Sequence, residues 1–325
     1  MTDASMRDGA GTSRFCLRRP QRSRNGVLSR SGPTRRASQR LSAVLLLLAL
    51  PFLCTCGCAT PQGPSTAGAQ SKGRGQAEHA AGDVVGIYDH RAGVFHLAGA
   101  NEAGLPLYLI GAGIGGRGMR PIAGDWDGNG TDTIGLYDPG TAQFYLANDL
   151  TRSGPIVAFP FGEPGRAQIP VAGDWDGDGR VTVGLYSAAS AAFRLRDSLS
   201  EGEADVIVAL GVHGKEWIPL AGDWNGDGRS TVGVYSPTAG RFLLRNSLTG
   251  GEGEIALEFG PRIPELLPVA GDWDGDGKDS IGLYDPLTGV FLLRSALTSG
   301  AAETEFTLRS EGLGSLPVAG NWGAG

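Results

Sequence analysis

The chain has 325 residues, 41% apolar and 19% charged, which is enough apolar material to bury a core and excludes disorder throughout. Ten arginines face only Asp3 and Asp8 in residues 1–58, so the remainder holds 18 basic against 32 acidic residues, a net charge of −14 that disfavours nucleic acid as a partner. The 54 glycines and 19 prolines recur at fixed intervals beyond residue 82 and mark turns between many short strands.

In chain order, the first element is the apolar run Leu41 to Leu53. It is shorter than the ~20 residues that span a bilayer and reads as the apolar region of an export signal occupying residues 1–58. All four cysteines, Cys16, Cys54, Cys56 and Cys58, lie in or before this segment, so the rest of the chain cannot use disulfides. The stretch Leu53 to Ala59 resembles a bacterial lipobox. Cys58, preceded by Gly57, is the first choice for lipidation, and Cys56 competes because Leu53 stands three residues before it. The alternative is an ordinary cleaved secretory signal. Residues 59–81 are small and polar, the composition of a flexible tether. An exported protein is expected, either an envelope lipoprotein that meets the membrane only through a lipid anchor or a secreted protein.

From residue 82 the sequence repeats. Pro121, Pro170, Pro219, Pro268 and Pro317 each open a PxAG(D/N)W block, every one 49 residues after the last. Tyr88, Tyr137, Tyr186, Tyr235 and Tyr284 keep the same step, as do Phe95, Phe144, Phe193, Phe242 and Phe291. Within the unit 219–267, PLAG is a short first strand and TVGVY a half-buried second one. A turn at Pro237 to Gly240 leads to RFLLRNSL, and a turn at Gly250 to Gly253 leads to EIALEFG. Four antiparallel strands per unit make a propeller blade, so the spacing predicts an all-β, five-bladed β-propeller over residues 82–325. The chain enters at Gly82 in mid-unit and leaves just after a first strand, and 244 residues stand against 245 for five whole periods. Pro317 to Trp322 is therefore expected to pair with the N-terminal strands and close the ring. The small residues Ala123, Gly124 and their equivalents suit five strands crowded round a narrow axis.

Each inner strand is followed by an acidic loop: DWDGNG, DWDGDG, DWNGDG and DWDGDG. Positions 1, 3 and 5 hold Asp125, Asp127 and Asn129; Asp174, Asp176 and Asp178; Asp223, Asn225 and Asp227; and Asp272, Asp274 and Asp276. Oxygen donors at this spacing with glycine at position 6 form the first half of a calcium loop, and carboxylates packed so closely repel unless a cation lies between them. Position 7 (Thr131, Arg180, Arg229, Lys278) is expected to offer its backbone carbonyl. Position 9 (Thr133, Thr182, Thr231, Ser280) is expected to offer a hydroxyl or water-mediated contact. Position 12 is Leu136, Leu185, Val234 or Leu283 where an EF-hand has glutamate, so these are not EF-hands. All-oxygen, flexible donors favour calcium over magnesium or transition metals. The fifth loop, from Asn321, is cut by the chain end, leaving up to four Ca2+ ions. The alternative is plain Asp/Asn/Gly turns without metal.

Over residues 82–325 these loops, with Phe161-Gly162 and Phe259-Gly260, resemble the FG-GAP and VCBS repeat family, calcium-loop propellers that include the head of integrin α chains. The resemblance implies a calcium-stabilised interaction domain; some relatives bind glycans, others proteins. This chain departs from the family at position 9, often Asp there, and in having five blades where integrin heads have seven.

Trp126, Trp175, Trp224, Trp273 and Trp322 recur at position 2 of the loops. Packing between blades is the favoured reading, and stacking on sugars the alternative. Trp217 lies off the register beside His213 and Lys215 in a blade connection and is a possible ligand contact. The histidines His79, His90, His96 and His213 are scattered, Glu163, Glu216 and Glu265 lie in polar connections, and the glycine run Gly111 to Gly116 precedes no helix. No catalytic residue is assigned. The expected function is a monomeric, calcium-stabilised extracytoplasmic binding or scaffold module presenting loops to a glycan or protein partner, not an enzyme. The alternatives are a propeller-type glycoside hydrolase or lyase and a structural envelope component.

Overall fold

The computed structural model describes residues 82–104, 108–111, 118–151, 156–211, 217–308 and 314–323. The expectations for the signal, Cys56, Cys58 and the tether, and those for His213 and Lys215, lie outside the described residues.

Five four-stranded antiparallel sheets form the blades of a β-propeller, and no helix occurs among the described residues. Blade one contains β1 (Val84–Asp89), β2 (Val94–Leu97) and β3 (Tyr108–Gly111). Blade two is β4 (Arg120–Gly124), β5 (Thr133–Asp138), β6 (Gln143–Ala147) and β7 (Ile156–Pro160). Blade three is β8 (Gln168–Gly173), β9 (Thr182–Ser187), β10 (Ala192–Arg196) and β11 (Val206–Ala209). Blade four is β12 (Ile218–Gly222), β13 (Thr231–Ser236), β14 (Arg241–Leu244) and β15 (Ile255–Glu258). Blade five is β16 (Leu267–Gly271), β17 (Ser280–Asp285), β18 (Val290–Arg294) and β19 (Thr304–Thr307).

The last strand, β20 (Leu316–Gly320), returns to blade one and pairs with β1 from Val84↔Gly320 to Tyr88↔Leu316, giving the order β20-β1-β2-β3. The predicted closure is thus observed. Each inner strand touches the next round the ring, from β4 through β8, β12, β16 and β20 back to β4. Closure leaves only short inner edges, turned toward the axis.

The repeated aromatics explain why the 49-residue unit holds its shape. Tyr137 and Phe144 are cross-strand partners, both inaccessible to solvent, with ring centroids 4.6 Å apart. The four equivalent pairs lie at 4.5–4.7 Å. Between the large residues of β5 sits Gly135, whose missing side chain leaves room for Leu146 of β6 and Ile122 of β4, and this is the physical basis of the small-large alternation. The FG pair turns the chain into the following blade. Phe161 is buried, and Gly162 has φ +101°, where a side chain would also collide with Leu185 of blade three.

Candidate metal loops and the inter-blade clasp

All five inner strands run the same way, so every acidic loop lies on one face of the ring and every PxAG start on the other. Strand β4 ends at Gly124, and the first loop is shaped by its own first carboxylate. Asp125 Oδ1 accepts hydrogen bonds from Gly128 N at 2.8 Å and Asn129 N at 3.0 Å, and Oδ2 from Gly130 N at 2.6 Å. Asp174, Asp223 and Asp272 repeat all three bonds. The fifth position then accepts from the seventh: Asn129 from Thr131 N, Asp178 from Arg180 N, Asp227 from Arg229 N and Asp276 from Lys278 N. A carboxylate has about four acceptor sites, so these bonds leave lone pairs for a cation.

The chemistry differs between loops. Asp174, Asp176 and Asp178 bring three carboxylates within 4.8 Å of one another, and so do Asp272, Asp274 and Asp276. The other two loops carry two carboxylates and an amide each; in one, Asn225 Nδ2 donates to Asp227 Oδ2 at 2.9 Å. The seventh side chain leans over the preceding blade's loop, with the stem of Arg180 against Gly128, Arg229 against Gly177 and Lys278 against Gly226.

The ninth position also ties strands together. Thr133 Oγ1 is buried and donates toward the carbonyls of Gly124 and Ala147; Thr231 does the same toward Gly222 and Arg245. Thr182 donates to Gly173 O and Ser280 to Gly271 O. These hydroxyls tie the second strand to its neighbours because a buried hydroxyl needs a partner, and the backbone carbonyls supply it.

Sequence reasoning missed position 8, which joins the blades. Asp279 N donates to Asp223 O at 2.9 Å while Asp223 N donates to Asp279 Oδ2 at 2.7 Å. Asp83 makes the same exchange with Asp272, Asp132 with Asn321, and Ser230 with Asp174 through its hydroxyl. Val181 keeps only the backbone half, to Asp125 O. Burial pushes Asp132 and Asp279 up to about 7 and Asp83 up to about 6, each opposed by its backbone hydrogen bond and reinforced by neighbouring carboxylates. Asp197 is also held above the usual carboxylate range, by burial first and then by Asp205, Asp176, Asp174 and Asp178.

The tryptophan ring packs between blades. Trp126 lies with Val183 and Leu185 of blade three, and Trp224 with Ile281 and Leu283 of blade five; both are 3% exposed. Trp175 and Trp322 are buried in the same way, and the partly buried Trp273 donates to Ile281 O at 3.1 Å. Trp217 is partly buried against the cluster of Val171, Tyr186 and Phe193.

On the opposite face the axis opens into a cavity of about 120 Å³, lined by the five repeat prolines and the residue before each. Those residues are Ile169, Ile218, Leu267 and Leu316, with exposed Arg120 breaking the five-fold pattern. Glu163 is paired with Arg166 at 2.9 Å in an exposed connection.

No protein-family model, curated protein or solved structure matches the chain.

Proposed function

We propose that this propeller is a binding or scaffold module, not an enzyme, held together on one face by calcium in the manner of the FG-GAP and VCBS repeats its loops resemble. The observation that carries the reading is the gathering of three carboxylates within 4.8 Å in each of two loops, at the spacing calcium loops use. The residues that would hold the ions are the side chains at positions 1, 3 and 5, from Asp125 to Asp276, with backbone carbonyls at position 7. Calcium would supply charge neutralisation at the root of each inner strand. The donors are all oxygen, which fits this hard cation.

Export, as a lipoprotein through Cys58 or Cys56 or as a secreted protein, is supported by the apolar run after a basic leader, and the polar residues 59–81 suit a tether. The partner is a protein in preference to a glycan. The axial cavity offers apolar walls and one cation, which complement an apolar side chain beside a carboxylate, and the tryptophans that could stack on sugars are largely buried.

A displayed peptide library and a glycan array, probed with wild-type protein and an Arg120→Glu variant, test this reading. Saturable peptide binding that the variant loses is expected. Glycan binding alone would redirect the partner, and turnover of polysaccharide would overturn the non-enzymatic assignment.

A further inference from the structure

We propose that a cleft on the flank of the ring, between blades three and four, binds a small zwitterion with an apolar body, of the kind an apolar amino acid or dipeptide offers. The cleft measures about 320 Å³, within the range of small-molecule sites, and shares no lining residue with the axial cavity. It stands apart from the calcium and partner readings above. Leu210, just after β11, lies on one wall, and Arg241, Leu243 and Ala256 of β14 and β15 lie on the other. The turn from Gly251 to Gly253 bridges the two blades, with Gly251 N donating to Ala209 O at 3.3 Å.

The cleft follows from the residues on one face of blade four. Side chains alternate along β14 and β15, so Phe242 and Leu257 point into the core shared with blade five, while Leu243 and its cross-strand partner Ala256 face blade three. The corresponding pairs are His96 with Leu109, Tyr145 with Ala158, Arg194 with Ile207 and Leu292 with Glu305, so Leu243 with Ala256 is the smallest of the five. The facing wall is set in place: Gly211 has φ +101°, and a Cβ there would lie 3.2 Å from the Tyr186 hydroxyl and 3.3 Å from the Trp217 ring.

Two charges define the ligand. Arg241 and Glu252 are both exposed on the cleft, and neither side chain has an ion-pair or hydrogen-bond partner among the described residues. The charged groups beside them are engaged elsewhere. Glu258, opposite Arg241 in the ladder, pairs with Arg262 at 3.3 Å, and Glu254 pairs with Arg245 at 2.9 Å. Arg245 also donates to Glu252 O, which fixes the backbone of Glu252 and leaves its carboxylate free. Arg241 is the only cation at its place in the repeat, where the other blades have Val94, Gln143, Ala192 and Val290. An unpaired guanidinium and an unpaired carboxylate over one apolar floor complement a molecule that carries both opposite charges on an apolar body.

Calorimetric titration of the purified protein with leucine and with leucyl-leucine tests the proposal, with the N-acetyl and C-amide forms of each as probes that lack one charge. Saturable binding of leucine or leucyl-leucine is expected, the tighter of the two giving the ligand's length, and each one-charge form should bind about tenfold more weakly. Arg241→Gln should abolish the preference for the carboxylate over the amide, and Glu252→Gln the preference for the amine over the acetyl form. Ala256→Phe, which fills the cleft, should abolish binding. All three residues are exposed, so the variants should melt with wild type; if Ala256→Phe does not, the two charge variants carry the test. No saturable binding at millimolar concentration, binding unchanged in Ala256→Phe, or preferences that survive both charge variants would each overturn the proposal. Equal affinity for a zwitterion and its acetyl form would overturn it too, since the Glu252 carboxylate would then play no part.

Discussion

Asp132 and Asn321 exchange two hydrogen bonds at the seam where the ends of the ring meet: Asp132 N donates to Asn321 O at 2.8 Å, and Asn321 N donates to Asp132 Oδ2 at 2.7 Å. The two residues are 189 positions apart, yet they repeat the clasp that Asp279 and Asp223 make within the chain. The ring is therefore closed twice, by the β20–β1 ladder and by the Asp132 side chain, which holds the backbone just after β20.

Asp132→Ala should destabilise the fold by about 1–3 kcal/mol, since it leaves the partly buried Asn321 N–H without its acceptor. Asp132→Asn keeps an oxygen in place and removes a charge that burial penalises, so it should be neutral or stabilising. Urea unfolding of both variants checks the contrast, and equal losses for Ala and Asn would show that charge, not the acceptor, matters.

Glycines of the same φ sign should differ sharply in tolerance. Gly260 has φ +76° and its space is filled by Leu283 of the next blade, so Gly260→Ala combines backbone strain with overpacking and should cost about 2–4 kcal/mol. Gly179 has φ +86° but open space around it, so Gly179→Ala should cost only about 1 kcal/mol. Denaturant midpoints measured side by side decide this.

Arg245 is buried and binds the turn after β14, donating to Ser247 O, Glu252 O, Ser247 Oγ and Thr249 Oγ1 beside an ion pair with Glu254 at 2.9 Å. Arg245→Ala should cost about 2–3 kcal/mol, below the full penalty for splitting a buried pair because Glu254 remains accessible to water. Arg245→Lys should recover little of it, for lack of the planar fork. Arg194→Ala breaks a pair whose Glu203 is 93% exposed and should change stability by about 0–1 kcal/mol. Thermal unfolding of the three variants provides the comparison.

Alkaline titration reports on the aromatic core. Burial pushes Tyr137, Tyr186, Tyr235 and Tyr284 up to about 12, from an ordinary value near 10. Because the folded values lie above the unfolded ones, the stabilisation is complete below about pH 10 and is lost as pH rises from there through 12. Absorbance near 295 nm should show these four tyrosines ionising late, with unfolding; ionisation of all seven tyrosines near pH 10 in a folded protein would contradict the packing.

The fold was legible because its determinants repeat by identity: Tyr, Phe, Trp and the PxAG block mark the same places in successive blades, so period and phase predicted both strands and closure. The turns over the first six loop positions were legible for the same reason. The clasp was not, because position 8 is Asp in three blades, Ser in one and, in another, Val181, which has no side-chain acceptor. A role met by different residues leaves no periodic identity to find. Position 9 was harder to read because a hydroxyl suits a metal and a strand carbonyl equally well, and only the folded hairpin shows Thr133 donating to Ala147 O.

The most direct measurement is the melting midpoint of the purified protein in millimolar calcium and in chelator. An ion that binds only the folded ring at a hundred times its dissociation constant adds about 2.7 kcal/mol per site, enough to raise the midpoint by several degrees for a domain of this size. A rise that saturates with calcium and is not matched by magnesium is predicted. Identical midpoints with calcium, magnesium and chelator would contradict the metal-held propeller and leave the acidic turns shaped by their own hydrogen bonds alone.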